Sequence, residues 1–224
     1  MDTTQQRGLC SGARPTEGRD LPPRAVFGTL AIALIAAAPR SEDPDWPCQQ
    51  RLVPRLAAAG YWNGQLNVQG NWQADPEIAE LVHHLAPRRI TTEEGLAAIA
   101  AFAKTESNDR PNRLALVFRG LLEETDRERT MLIAQLRQMG RRQRELADLV
   151  ARLADALAAI APDAVGEAAE KRVDLQQRHD FTARNFEEIR RTIRYACEIP
   201  VALDARLGIW ARALQAAVTA GAPG

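Results

Sequence analysis

Apolar residues recur at alternating steps of four and three from about Asn112 to Ile160: Phe118, Leu122, Leu132, Leu136, Met139, Leu146, Val150, Leu153, Leu157 and Ile160. Thr125, Arg129 and Gln143 interrupt the series. A stripe of period about 3.5 stays on one side of a helix and needs a second helix packed against it, because water would otherwise cover it. The pattern predicts a helix roughly 70 Å long at about 1.5 Å per residue. Next comes a short breaker, Ala161-Pro162-Asp163, in which Asp163 is placed to cap a second helix. Val165, Ala168, Leu175, Phe186, Ile189, Ile193 and Ala196 then continue the rhythm, with Arg172, His179 and Thr182 as polar members. Two seams joined by a tight turn predict an antiparallel, coiled-coil-like helical hairpin, 112–160 against 163–199. With the turn centred on Pro162, Gln143 falls opposite Phe181, between His179 and Thr182. The three polar residues are expected to form a layer that fixes the register.

Shorter helices are predicted on either side of the hairpin. One should run from Cys48 to Ala59, kinked or split at Pro54 and closed by Gly60. Tyr61 to Gln73 holds two glycines, three asparagines and two tryptophans and reads as a loop. Asp75-Pro76 is a cap followed by proline at the first helical position, opening a helix with Ile78, Leu81, Val82 and Leu85 that stops before Pro87. Thr91 and Glu94 have the spacing of a capping box, and Leu96, Ile99, Ala100 and Phe102 give the next helix its apolar face. Gly140 marks a soft spot or bend in the long helix. Pro200 is expected to end the return helix, and Leu203, Leu207, Trp210, Leu214 and Ala217 define a last amphipathic helix, with a disordered tail from Thr219. No alternating β-branched runs suggest a sheet. The expected fold is therefore all-α: a single domain over 41–218 in which the shorter helices pack at the base of the hairpin.

Composition adds limits. The 224 residues are 46% hydrophobic, with 29 basic and 29 acidic side chains, and this neutral balance argues against nucleic acid as a partner. The nearest approach to a basic patch, Arg137, Arg141, Arg142 and Arg144, lies close to Glu145 and Asp148 and reads as a solvated helix face. The run Glu123, Glu124, Asp126, Glu128 is interleaved with Arg127 and Arg129 and reads in the same way. Residues 1–24 are polar and rich in Gly, Pro and Arg, and residues 25–38 are a mostly apolar run ending in small residues. That run is shorter than the ~20 residues that span a bilayer and has the length of an export signal. The alternative is an uncleaved N-terminal anchor, which would be the chain's sole membrane contact. Cys10 precedes this run; Cys48 and Cys197 lie beyond it. Both sit beside predicted helix ends that the hairpin brings to the same end of the domain, so in an oxidising compartment they are expected to form a disulfide, the alternative being two separate buried thiols.

The candidate chemistry is sparse. Glu80 and His83 have an i, i+3 spacing seen in carboxylate-bridged metal sites, with His84 beside them and Glu77 one turn earlier, but the chain has no second copy of the motif. They form a weak metal-site candidate beside the plainer reading of a polar helix edge. There is no haem-attachment motif, phosphate-binding glycine loop or nucleophile elbow, and no cofactor is expected. Tyr61, Trp62 and Trp72 form an aromatic-rich loop that is either an interaction surface or a cover for the base of the hairpin.

Two stretches, Asp45-Trp46-Pro47-Cys48-Gln49-Gln50-Arg51-Leu52-Val53-Pro54 and Arg194-Tyr195-Ala196-Cys197-Glu198-Ile199-Pro200-Val201, resemble a group of bacterial exported helical proteins of unknown function. The resemblance implies a periplasmic helical protein and carries no activity. The expected function is a non-enzymatic interaction or scaffolding role in an envelope assembly, with protein partners and an oligomeric state the sequence leaves open. The alternatives are a metal-binding protein or enzyme using Glu77, Glu80, His83 and His84, and a chaperone-like helical clamp.

Overall fold

The computed structural model describes residues 43–105 and 109–220. Residues 25–38, expected to be an export signal, the polar region before them and Cys10 lie outside the described residues. Among the described residues there is no strand, and the protein is all-α. Five α-helices occur in order among the described residues: α1 (Pro76–Leu85), α2 (Thr92–Ala103), α3 (Arg110–Ala158), α4 (Glu167–Ala196) and α5 (Glu198–Ala220). No helix of the described residues is long and apolar enough to cross a membrane.

The starts of α1 and α2 arise from local chemistry. The Asp75 carboxylate accepts from the Glu77 and Ile78 amides, and Pro76 occupies a position whose N–H would lack a partner in any case. Thr91 Oγ1 accepts from the Glu94 amide while the Glu94 carboxylate accepts from the Thr91 amide, a reciprocal cap. α1 then lays its apolar face mainly on the first part of α3, and α2 lays its own mainly on α5. Ile78, Val82, Leu85, Ile99, Leu114, Phe118, Leu207, Trp210 and Leu214 form one buried cluster. Each such side chain contributes about 1.5–3 kcal/mol relative to exposure. Gly95 lets the Trp210 ring lie against the α2 backbone, and the indole N–H donates to the Thr92 carbonyl at 3.1 Å. Arg206 closes the α1–α2 connection by donating to the carbonyls of Ala86, Pro87 and Ile90.

Two smaller clusters link α3 to α4. Ile133 and Leu136 meet Ile193 and Cys197, and Leu153 and Leu157 meet Leu175. The connection between the two helices is longer than the breaker suggested: α3 ends at Ala158 and α4 begins only at Glu167. Gly166, at φ +63, stands at the start of α4 in the cap position expected of Asp163. Val165 is exposed, so it does not join the seam. Ala168, also expected in the seam, is exposed in the first turn of α4. Arg172 explains part of the difference, since its guanidinium donates to the Leu157 and Ile160 carbonyls and satisfies the end of α3.

Three further expectations need correction. Cys48–Ala59 is not a helix; apart from one 3-10 turn at Ala58–Gly60, residues 43–57 form an irregular strap. Pro47 and Pro54 remove donors, and Pro54 disfavours helical backbone at Val53. Side chains from α3 and from the strap itself take over the bonding: the Leu56 amide donates to Asp126 at 2.8 Å, and Trp46 Nε1 donates to the Gln50 carbonyl at 2.8 Å. Pro200 does not end the return helix. Cys197 already breaks it, and Pro200 lies in the first turn of α5, where a missing N–H costs little. The helical structure also continues through Thr219 to Ala220.

Candidate functional site

The strap, the middle of α3 and the α4–α5 junction converge around Cys48 and Cys197. The two cysteines form a disulfide, with Cα atoms 5.7 Å apart. Trp46 is buried beside it against Ile133, Leu136 and Ile193, and Gln50 Nε2 donates to the Cys197 carbonyl at 2.5 Å. The acidic lead of the strap is gripped by the arginines that the sequence pattern assigns to a solvated face. Arg137 pairs with Asp43 at 2.6 Å, Arg141 with Asp45 at 2.8 Å, and Arg144 with Asp45 and the Pro44 carbonyl. Only Arg142 of the cluster keeps the local pairing, with Glu145. Hydrogen bonds from Arg141 and Arg144 hold the Asp45 carboxyl below the usual carboxylate range. Gly140 lies beneath this clasp, where the Asp45 carbonyl rests on the α3 backbone. The glycine therefore serves a close approach, and α3 runs through it without a break.

An open cleft of about 770 Å³ lies next to the disulfide. Pro47, Ile193 and Val201 supply apolar walls, and Gln143, Arg190 and Arg194 supply polar ones. Arg190 pairs with Glu187 at 2.7 Å. A second cavity, of about 410 Å³, opens between the strap, α3 and α5 and is lined in part by Tyr61, Arg129 and Asp204.

The remaining sequence candidates lie away from the disulfide. Glu77 accepts from Arg113 at 2.6 Å, which ties it to α3. His83 meets the Trp72 ring edge-on at 5.5 Å. Glu77, Glu80 and His84 do line one open depression, but no three His, Cys, Asp or Glu side chains among the described residues are grouped to hold a metal ion. Trp62 and Trp72 are buried, so the aromatic loop does not present them as a binding surface. Trp62 stacks on Phe118 with centroids 4.8 Å apart, and Trp72 Nε1 donates to Glu123 at 2.8 Å. Tyr61 is half-buried and its hydroxyl donates to Asp204; burial and that carboxylate push its phenol well above the ordinary range.

The structure does not bring Gln143, His179 and Thr182 together. Thr182 Oγ1 donates to the Arg178 carbonyl, and His179 Nδ1 meets Asp180 at 3.1 Å. Gln143 faces the cleft with Arg190 and Ile193, well past Thr182 along α4. Arg129, which the sequence pattern assigns with Arg127 to a solvated face, is instead buried. Its place inside the apolar seam is the one sign of this, and its surroundings depend on the strap, which the apolar pattern makes a helix.

Comparisons with protein-family models, curated proteins and solved structures found no match for this chain.

Proposed function

We propose that the protein is a non-catalytic interaction component of the bacterial cell envelope, exported across the inner membrane and folded where disulfides form. The observation that carries this reading is the cleft of about 770 Å³ beside the Cys48–Cys197 bond. A disulfide is at home in an oxidising compartment, and this one fixes two walls of the cleft relative to each other. The cleft suits an extended segment of a partner protein that brings apolar side chains and a carboxylate. Pro47, Ile193 and Val201 would take the apolar groups, and Arg194, which makes no ion pair among the described residues, would take the charge.

In the same reading, α3 and α4 form an antiparallel coiled-coil-like hairpin. The order of contacts supports it, because the middle of α3 meets the end of α4 and the end of α3 meets the early part of α4. Filling of that seam by Leu153, Leu157 and Leu175 speaks against a clamp that opens between these two helices. The two motifs that resemble exported helical proteins lie on the strap and on the α4–α5 junction, at this cleft.

Photo-crosslinking in intact cells tests the proposal. A photoreactive residue at Arg194 is expected to yield a discrete adduct with one envelope protein, and the same residue at Gln135, on exposed α3 surface, is not. Identical adducts from both positions, or none from the cleft, would overturn it.

A further inference from the structure

Arg129 interrupts the apolar seam of α3 and is only 7% exposed. Among the described residues its one hydrogen bond runs from Nη2 to the Val53 carbonyl at 3.4 Å, and its Nε and Nη1 are buried without an acceptor. The carboxylates nearby are used by other groups. Asp126 accepts from the Leu56 amide and from Arg55, and Asp204 accepts from Tyr61. Neither forms an ion pair with Arg129. A buried guanidinium in this condition has given up its hydration without gaining a counter-charge, which destabilises the fold until an acceptor arrives.

The same arginine lines the cavity of about 410 Å³ between the strap, α3 and α5, a volume within the lower range of small-molecule pockets. Leu52, Val53, Ile133 and Val201 give that cavity apolar walls. Its charged lining consists of Arg51, Arg55 and Arg129 against Asp204. We infer that this cavity binds a small organic monocarboxylate, with the carboxylate held by Arg129 and an apolar body against the strap. The walls favour an apolar ligand, the excess of arginine favours an anion, and Asp204 disfavours a dianion such as phosphate. A planar fork of N–H donors suits a carboxylate in particular. This site goes beyond the proposed interaction role; its lining shares Gln50 and Val201 with the cleft assigned to a partner, while Arg129 lines this cavity and not that cleft.

Octanoate is a suitable probe, with 1-octanol as its uncharged match. Calorimetric titration of the full chain with the disulfide intact is expected to show octanoate binding at least about tenfold tighter than octanol. Arg129→Met is expected to lose that preference while its thermal midpoint without ligand stays equal or rises, because the substitution removes an unpaired buried charge. Arg129→Lys should retain part of the preference for the anion. The inference is overturned if the wild-type protein shows no octanoate binding up to about 10 mM, the weak end of specific affinities. It is equally overturned if octanol binds as well, which would indicate an apolar cavity alone, or if Arg129→Met binds octanoate unchanged. Should the methionine variant fail to fold, the octanoate–octanol comparison on the wild type and on Arg129→Lys decides.

Discussion

Gly140 lies in the interior of α3, where alanine would ordinarily be favoured by about 1 kcal/mol. In this fold the preference is reversed. A Cβ there would collide with the Asp45 carbonyl oxygen and come within 3.3 Å of Pro47 Cδ. The carbonyl belongs to backbone pinned by three arginines and cannot withdraw without breaking the clasp. Gly140→Ala is therefore expected to lower stability by about 1–3 kcal/mol in urea unfolding, the range of overpacked sites. A higher midpoint would mean that the strap yields easily and that the glycine is a defect of the helix. The sequence marks this position but suggests bending, because nothing local reveals that another segment lies against it.

At the scale of elements, the strap is the piece whose structure is imposed from outside. Its own apolar residues suggest a helix, and two prolines remove that option. It is held by the Cys48–Cys197 bond, by the arginine clasp and by Asp126 at the Leu56 amide. The disulfide joins positions 149 residues apart, and closing so long a loop contributes about 4–5 kcal/mol in the chain-entropy model. Replacing both cysteines with serine should lower stability by up to that amount and open the strap to trypsin at Arg51 and Arg55. Limited proteolysis with mass mapping of the fragments checks this. Cleavage no faster than in the parent would show that the clasp suffices by itself. The helices with strong local signals are a contrast: Asp75-Pro76 and the Thr91–Glu94 box set the starts of α1 and α2 at the expected positions, because capping is decided within four residues.

For the molecule as a whole, burial is distributed unevenly. The cluster built from α1, α2, α5 and the first part of α3 holds Ile78, Leu85, Leu114, Phe118, Trp210 and Leu214. Beyond Gly140, the α3–α4 pair relies on Leu146, Leu153, Leu157, Leu175 and Thr182. Local opening tracks the density of buried contacts, so amide exchange should be slowest in α1, α2 and 114–121 and fastest, among helical residues, in 146–158 and 167–182. Mass spectrometry of exchanged peptides reads this directly; uniform protection along α3 would show that another surface covers the α3–α4 pair. The all-α class, the long helix and two of its capped neighbours were determined by the sequence, through periodicity and capping chemistry; the Cys48–Cys197 bond was expected from two helix ends, but Cys48 lies on the irregular strap and the fold brings it to Cys197 by another route. Only the tertiary structure decided the course of the strap, the register of α4 against α3, the burial of Trp62 and Trp72, and the isolation of Arg129. Those features depend on which distant residues meet, and a one-dimensional pattern records which positions must be covered without recording what covers them.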